Sequence, residues 1–148
     1  MICVHGTTVS IDGIGVLLRG PSGSGKSDLA LRLIDGGARL VADDQTEVRC
    51  IDGGLRASAP RTIAGLLEVR GIGILSVPSL HSAPLGLVVD LVASEAVERL
   101  PEPRFCEFLD HRLPLLALAP FEVSTPAKLR LAVPALAADR RGSIMTAP

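Results

Sequence analysis

The chain has 148 residues, a formal net charge of −1 and 47% hydrophobic residues, a composition that suits one domain with a buried core. Aromatic residues make up only 2%, so the sequence offers neither the dense positive charge nor the stacking rings that nucleic-acid binding requires. No apolar run approaches the roughly 18 residues of a membrane helix, so we expect no membrane partner.

Apolar and β-branched runs predict strands, and Leu- and Ala-rich runs predict helices. The first half of the chain has predicted strands at 4–11 and 14–18 joined by a tight turn, a helix at 27–35, a strand at 39–42, a hairpin at 47–57 and a helical turn at 62–67. The second half has predicted strands at 72–77 and 85–92, a loop or short helix at 93–100, and strands at 105–109 and 113–118. A last helix is predicted at 128–138, and Pro134 should kink it or end it. Hairpins around a strand–loop–helix unit indicate an α/β fold with a mixed β-sheet and flanking helices. We expect one domain over residues 1–139 and a flexible tail at 140–148.

The cysteines argue against a secreted protein. Cys3, Cys50 and Cys106 are odd in number and far apart, with no C-x-x-C pair. This pattern disfavours a disulfide framework or a zinc site, and buried or incidental thiols are the simplest interpretation. The N-terminus has neither the charged segment nor the long apolar segment of a signal peptide. A cytoplasmic location is therefore expected.

The strongest motif is a glycine-rich loop, residues 20–27, that matches the phosphate-binding pattern G-x-x-x-x-G-K-[ST] at every fixed position. Its residues are Gly20, Pro21, Ser22, Gly23, Ser24, Gly25, Lys26 and Ser27. A predicted strand precedes the loop and a predicted helix follows it, so backbone N–H groups and the helix N-terminus would face phosphate oxygens. Lys26 would neutralise the β- and γ-phosphates of ATP, and the Ser27 hydroxyl would ligate Mg²⁺. The alternative, a flexible glycine turn, has no need of Lys26 and Ser27 in succession.

Two adjacent aspartates, Asp43 and Asp44, follow the apolar run Leu40-Val41-Ala42 and so stand at the end of a predicted strand. Ligands gather at such strand ends in α/β sheets. If both residues are extended, their side chains point to opposite faces, and only one can face the phosphates. One carboxylate would hold a metal ion, and two leave room for a base and a supporting group. A solvated acidic turn is the alternative.

A second unusual stretch begins at Glu68. Glu68 and Arg70 stand two residues apart, before two close glycines and an apolar run. In an extended segment these opposite charges fall on one side of the chain. The alternative is a surface ion pair before a turn.

Together these segments resemble the C-terminal catalytic domain of the HPr kinase/phosphorylase family. The matches are ordered: His5-Gly6, the glycine-rich loop, Leu40-Val41-Ala42-Asp43-Asp44, and Leu67-Glu68-Val69-Arg70-Gly71-Ile72-Gly73-Ile74, which is similar to the family's signature stretch. The resemblance is clear over residues 3–100. It implies a fold similar to the nucleotide domain of phosphoenolpyruvate carboxykinases and a homo-oligomer, hexameric in known assemblies. It also implies ATP-dependent phosphorylation of a serine on HPr, a small phosphocarrier protein of the phosphotransferase system.

The resemblance further implies roles for individual residues. Asp43 would be the base that takes the serine proton, and the acid in the reverse reaction. Ser27 and Glu68 would hold Mg²⁺, and Lys26 would line the phosphates.

Three more positions take their roles from the resemblance. His5 would line the phosphates as well, although a lone histidine near a terminus is more often structural or exposed. Arg70 would belong to the signature region, and Arg99 is aligned with an arginine that the family uses at the active site.

The sequence departs from the family in two places. Many relatives carry an additional N-terminal domain, and this chain starts almost at the catalytic domain, so control by that domain is not expected. The arginine- and glycine-containing loop before the last helix, associated with dephosphorylation, is replaced by residues 120–128, so we expect little reverse phosphorolysis. Two other functions stay open: a small-metabolite kinase, which would usually carry an arginine-rich lid, and a non-catalytic ATP-binding regulatory module, which has no use for a proton acceptor.

Overall fold

A computed structural model describes residues 1–138, and within them eleven strands and two α-helices form the mixed α/β fold that the sequence predicts. The strands are β1 Ile2–His5, β2 Thr7–Ile11, β3 Ile14–Arg19, β4 Arg39–Ala42, β5 Gln45–Ile51, β6 Gly54–Ser58, β7 Leu66–Val69, β8 Gly73–Ser76, β9 Ser82–Leu91, β10 Arg104–Phe108 and β11 His111–Leu118. The helices are α1 Lys26–Asp35 and α2 Thr125–Leu136, with short 3₁₀ turns at Arg61–Ile63 and Ser94–Ala96. The predicted tail at 140–148, and residue 139 of the predicted domain, lie outside the described residues.

Nine strands of the described chain form one mixed sheet. Its main path is β1-β5-β6-β9-β3-β2-β4, and β11 pairs with both β9 and β10. β9 runs parallel to β3 and to β11, whereas the other neighbouring strands are antiparallel. β7 and β8 form a separate hairpin. The carboxyl ends of β3 and β9 therefore lie side by side, where the glycine-rich loop begins.

Each face of the sheet carries an apolar core, because neighbouring residues of a strand point to opposite sides. Leu18 lies in the core that includes both helices and β7, whereas Leu17 lies in a second core made almost wholly of strand residues. Leu29 and Leu33, one helical turn apart on α1, are fully buried in the first core. This packing holds α1 against the sheet and so fixes the position of the loop that precedes it.

The turns behave as their residues predict. Asp12 and Gly13 join β2 to β3 with positive φ at both positions, as a two-residue hairpin turn requires. α1 ends where Gly36 and Gly37 follow it. Gly37 has a φ of 109°, and its N–H donates to Ile34 O at 2.9 Å.

The single strand predicted at 4–11 is wrong, because Gly6 divides it into β1 and β2. A Cβ atom at Gly6 would lie 2.7 Å from Leu17 Cδ1, so no side chain fits there. The chain changes partners at this point, from β5 to β3 and β4. The helical turn predicted at 62–67 is also shorter than expected, since the 3₁₀ turn ends at Ile63 and β7 begins at Leu66.

The predicted C-terminal helix starts earlier than expected, at Thr125, whose side-chain hydroxyl donates to Ala119 O. Pro134 lies inside the helix, two residues before its end at Leu136, where few backbone bonds remain to be lost. Neither helix within residues 1–138 has the length and apolar character that crossing a membrane requires.

Candidate functional site

The glycine-rich loop connects the end of β3 to the first turn of α1. Gly23 and Gly25 adopt φ angles of 82° and 100°, which residues with side chains rarely adopt. A Cβ atom on Gly20 would lie 2.5 Å from Ser24 Oγ, and one on Gly25 would lie 2.8 Å from Phe121 Cζ. Gly23 and Gly25 are therefore needed for their positive φ angles, and Gly20 and Gly25 are needed because a side chain would not fit.

Two buried polar groups of the loop are incompletely paired: the ammonium group of Lys26 has hydrogen bonds but no carboxylate partner, and the Ser24 hydroxyl has no partner. Lys26 is only 6% exposed, and its Nζ donates to Gly20 O at 2.7 Å and Pro21 O at 3.1 Å. No carboxylate of residues 1–138 forms an ion pair with it. The Ser24 hydroxyl oxygen is shielded from solvent and has no hydrogen-bond partner in the same part of the chain. Because a buried charge without a counter-charge is costly, Lys26 fits a ligand that brings negative oxygens to the cleft, as a phosphate does.

Asp43 joins three elements through one carboxylate that is largely buried. Its Oδ1 accepts hydrogen bonds from Ser27 Oγ at 2.8 Å and from Thr7 Oγ1 at 3.0 Å. Its Oδ2 accepts the backbone N–H of Glu68 at 3.0 Å. Hydrogen bonds to a carboxylate are stronger than bonds between neutral groups. Asp43 therefore fixes the loop hydroxyl, β2 and the signature strand β7 relative to one another.

Asp44 has a different environment, although it is the next residue. Its φ of 66° is left-handed, and its backbone N–H donates to Thr7 Oγ1 at 3.1 Å. The side chain is 61% exposed, and His5 Nε2 lies 2.9 Å from Oδ1. The two aspartates are therefore not both extended, so strand alternation does not force one of them away from the site.

A cleft of about 400 Å³ runs along the loop and the start of α1. Five loop residues line it, and residues from other segments line it as well: Ser22, Gly23, Gly25, Lys26 and Ser27, with Asp44, Glu68, Arg70 and Phe121. Within the described residues no ion pair joins Glu68 to Arg70, although both line the cleft. Glu68 and Arg70 are therefore neighbouring lining residues of the cleft and do not form the surface ion pair that the sequence left open.

The structure brings together most of the predicted site residues but not all of them. His5, at the end of β1, does not line the cleft itself but is hydrogen-bonded to Asp44, which does. Arg99 lies in the exposed segment between β9 and β10, and it lines neither this cleft nor the smaller one of about 300 Å³ beside the loop. Within one chain, Arg99 is not part of the site.

Three side chains offer oxygen ligands of the kind that Mg²⁺ prefers: the Ser27 hydroxyl and the carboxylates of Asp43 and Glu68. Over residues 1–138, no three His, Cys, Asp or Glu side chains are grouped closely enough to hold a metal by themselves. Mg²⁺ commonly keeps several waters and is held by one or two carboxylates together with substrate phosphates. The donors present fit a magnesium ion that arrives with a nucleotide.

Two long-range contacts that support the loop have no signal in the sequence. Arg19, the last residue of β3, donates to Asp90 through Nε at 2.8 Å and Nη2 at 3.2 Å, and this hydrogen bonding raises the pKa of Arg19. Arg32 on α1 donates to Pro120 O, after β11. These partners are 71 and 88 positions apart, so no local pattern marks them.

The fold and the site define a class: a mixed α/β domain with a glycine-rich loop between a strand and a helix, beside a pair of strand-end aspartates. The chain belongs to the family described as the HPr Serine kinase C-terminal domain, whose model matches residues 1–113. The resemblance drawn from the motifs is thereby confirmed.

Individual relatives agree with the family match. An HPr kinase/phosphorylase of Caldanaerobacter subterraneus subsp. tengcongensis is 43% identical over 129 residues, which cover 79% of this chain and 42% of the relative. One from Clostridium tetani is 50% identical over 88 residues, 60% of this chain and 28% of the relative. The solved structure of the Hpr(Ser) kinase/phosphatase from Coxiella burnetii has a TM-score of 0.78 at 28% identity and matches 90% of this chain and 88% of that chain. The chain thus spans less than half the length of these two curated relatives.

Proposed function

We propose that this chain is the catalytic domain of an ATP-dependent protein-serine kinase that phosphorylates HPr or a closely related phosphocarrier protein. The proposal rests on the Asp43 carboxylate, which ties the Ser27 hydroxyl of the loop to the strand that carries Glu68. A phosphate-binding loop alone serves many nucleotide-binding proteins. Its attachment to an aspartate pair and to β7 favours phosphoryl transfer, and the relatives named HPr kinase/phosphorylase support the acceptor.

The loop residues would bind the phosphates of ATP. Lys26 would exchange its two carbonyl acceptors for phosphate oxygens, and Ser22, Gly23 and Gly25 line the same cleft beside it. Ser27 and Glu68 would hold Mg²⁺, with Asp43 orienting the Ser27 hydroxyl. The ion would offset the negative charge of the phosphates when it is bound.

The family resemblance implies that Asp43 is the proton acceptor, but the position of Asp44 suits this role better. All three hydrogen bonds to Asp43 point at its carboxylate oxygens and hold structure together. Asp44 lines the cleft, is mostly exposed, and has one side-chain partner, His5. A base must reach the proton that it removes, so accessibility favours Asp44.

The transfer step follows from these positions. The serine proton of the acceptor passes to the Asp44 carboxylate, the serine oxygen bonds to the γ-phosphorus, and the bond from that phosphorus to the bridging oxygen of ADP breaks. His5 would keep Asp44 oriented during this step. Arg70, on the same wall of the cleft, would offset charge on the transferred group.

The working form would be a homo-oligomer in the cytoplasm. Arg99 lies away from the cleft of its own chain, so its predicted active-site role requires the cleft of a neighbouring subunit. In the segment 120–128, Glu122 and Lys128 lie 3.7 Å apart and offset each other's charge. This supports a kinase with little phosphorolysis, because inorganic phosphate attacking a phosphoserine brings two anions together and needs excess positive charge.

The test is transfer of label from γ-labelled ATP to HPr, followed by identification of the labelled residue. Parent protein should label a serine of HPr, and Lys26→Ala should not. ATP binding without label on HPr would reject the acceptor, and label on a small metabolite would move the chain to another kinase class. No ATP binding at all would reject the role of the loop.

A further inference from the structure

Phe121 is a large apolar residue that stands exposed over the glycine-rich loop. It is 67% exposed, it packs against Gly25 so closely that no side chain fits there, and it lines both clefts beside the loop. The chain has three Phe and no Tyr or Trp, and in the described part of it Phe121 is the one aromatic ring that lines either cleft. The residue also lies beyond the 1–113 matched by the family model.

The backbone on both sides of Phe121 is fixed by hydrogen bonds. Arg32 donates to Pro120 O and, at 3.5 Å, to Glu122 O. Arg32 is itself held in place, because its Nε donates to Asp28 Oδ2 at 3.0 Å. A partly buried arginine that binds two carbonyls in this way limits the motion of an exposed loop. The Phe121 ring is therefore presented to the cleft in a defined place, even though little of it is buried.

The Phe121 ring lines the same cleft as the loop residues Lys26 and Ser27, which would hold the phosphates of a nucleotide. Ser27 lies at the phosphate end of α1, and Leu31 lies one helical turn further along the same face. Leu31 lines the same cleft as Phe121, so both side chains offer apolar surface beside the loop. Every nucleobase has an apolar π-face that stacks on such a ring.

We propose that Phe121 is the platform on which the base of the bound nucleotide stacks, with Leu31 as the neighbouring apolar surface. This rests on the proposed function, since it assumes that the loop holds the nucleotide's phosphates. Neither side chain carries a donor or acceptor for the edge of a base. Binding to the platform should therefore depend on the size of the base and not on the hydrogen-bonding groups at its edge. We expect it to favour purines over pyrimidines and not to distinguish adenine from guanine.

The test compares ATP with inorganic tripolyphosphate, which has the phosphates but no base, by calorimetric titration in the presence of Mg²⁺. Phe121→Ala should weaken ATP binding by about 5- to 150-fold, the range that corresponds to loss of one base–aromatic stack, and leave tripolyphosphate binding within about twofold. Phe121→Trp should keep ATP affinity. Val123→Ala is the matched control, because Val123 is 98% exposed in the same segment and lines neither cleft.

Each other result overturns the platform. If Phe121→Ala weakens ATP and tripolyphosphate equally, the ring shapes the loop and does not stack on a base. If Phe121→Ala binds both ATP and tripolyphosphate as tightly as the parent does, the base lies elsewhere. The second cleft, which Leu91 and Val92 line, would then be the site to test next. Parent protein that binds neither ligand would refute the proposed function itself, and the platform with it.

Discussion

Replacing Asp43 and Asp44 separately by Asn should separate a structural role from a chemical one. Asp43 accepts hydrogen bonds from Ser27, Thr7 and the backbone of Glu68, whereas the exposed carboxylate of Asp44 is hydrogen-bonded only to His5 among the described side chains. Asn is nearly isosteric with Asp, but it is neutral and one of its two polar atoms is a donor. Asp43→Asn therefore weakens hydrogen bonds that hold the site together, whereas Asp44→Asn removes an exposed negative charge that could accept a proton.

The cost at Asp43 can be worked from its contacts. The Glu68 N–H is a fixed donor, so an amide would keep its oxygen there and turn its NH₂ toward the hydroxyls of Ser27 and Thr7. Hydrogen bonds to a charged group contribute about 1.5–3 kcal/mol each, against about 0.5–1.5 for neutral pairs. We therefore expect Asp43→Asn to lower the free energy of unfolding by on the order of 2 kcal/mol. Asp44→Asn should change it by less than about 1 kcal/mol, as for exposed ion pairs.

The rates should show the opposite order. Asp44→Asn should lower phosphoryl transfer about 10²-fold or more with ATP affinity unchanged, as expected for a lost base. Asp43→Asn should act chiefly by raising the ATP and Mg²⁺ concentrations required, because the Ser27 hydroxyl is no longer oriented. Asp52→Asn is the matched control, since Asp52 is exposed, has a φ of 52° and lies in the β5–β6 turn.

The measurements are denaturant unfolding and steady-state transfer to HPr, on the same preparations of all three variants. A variant Asp43→Asn that unfolds like the parent but transfers 10²-fold more slowly, beside an active Asp44→Asn, would return the role of base to Asp43. Equal losses of rate at both positions, with no change in stability at either, would refute the division of labour altogether.

Three further predictions follow from particular contacts. Glu68→Gln should raise the Mg²⁺ requirement, because a hard cation prefers a charged oxygen; identical magnesium curves for variant and parent would remove Glu68 from the metal site. With seryl-phosphorylated HPr and excess inorganic phosphate, pyrophosphate should form far more slowly than the forward product, and comparable rates would show that the segment 120–128 suffices for phosphorolysis. Hydrogen bonds to Leu109 O and Gly53 O raise the pKa of His111, so its stabilising contribution is present below about pH 6.5 and is lost as pH rises through the folded-state pKa. The difference in unfolding free energy between parent and His111→Gln should therefore shrink from about pH 5 to pH 8, and a flat difference would contradict it.

Features set by neighbouring residues could be predicted from the sequence. The glycine-rich loop, the stop of α1 at Gly36-Gly37 and the hairpin turns at Asp12-Gly13 and Asp52-Gly53 all depend on backbone conformations that glycine and aspartate adopt within a few residues. Strand β4 was predicted with its observed bounds, Arg39–Ala42, because charged and small residues flank its apolar run. In each case the cause and the signal lie in the same short segment.

Contacts between distant segments could not be predicted in this way. Nothing near Thr7 indicates that its hydroxyl supports Asp43, and nothing near Phe121 indicates that its ring covers Gly25. The division of one predicted strand at Gly6 has the same origin, since the space there is taken by Leu17 of another strand. Such features depend on which elements pack together, and residue propensity within one segment carries no information about that.

The two aspartates can both serve one site because the strand ends just before them. β4 stops at Ala42, and Asp44 is held in a left-handed conformation, which costs a residue with a side chain about 1–2 kcal/mol. That cost is offset at both ends of the residue: its N–H donates to Thr7 Oγ1 at 3.1 Å, and its C=O accepts the Gly6 N–H at 2.9 Å. A solvated acidic turn has no need of such support. Both sides of the β1–β2 junction therefore bind Asp44: the His5 side chain is hydrogen-bonded to its carboxylate, and the Gly6 N–H donates to its C=O. The break at Gly6, which the strand pattern did not predict, thus helps to hold Asp44 in a position different from that of Asp43.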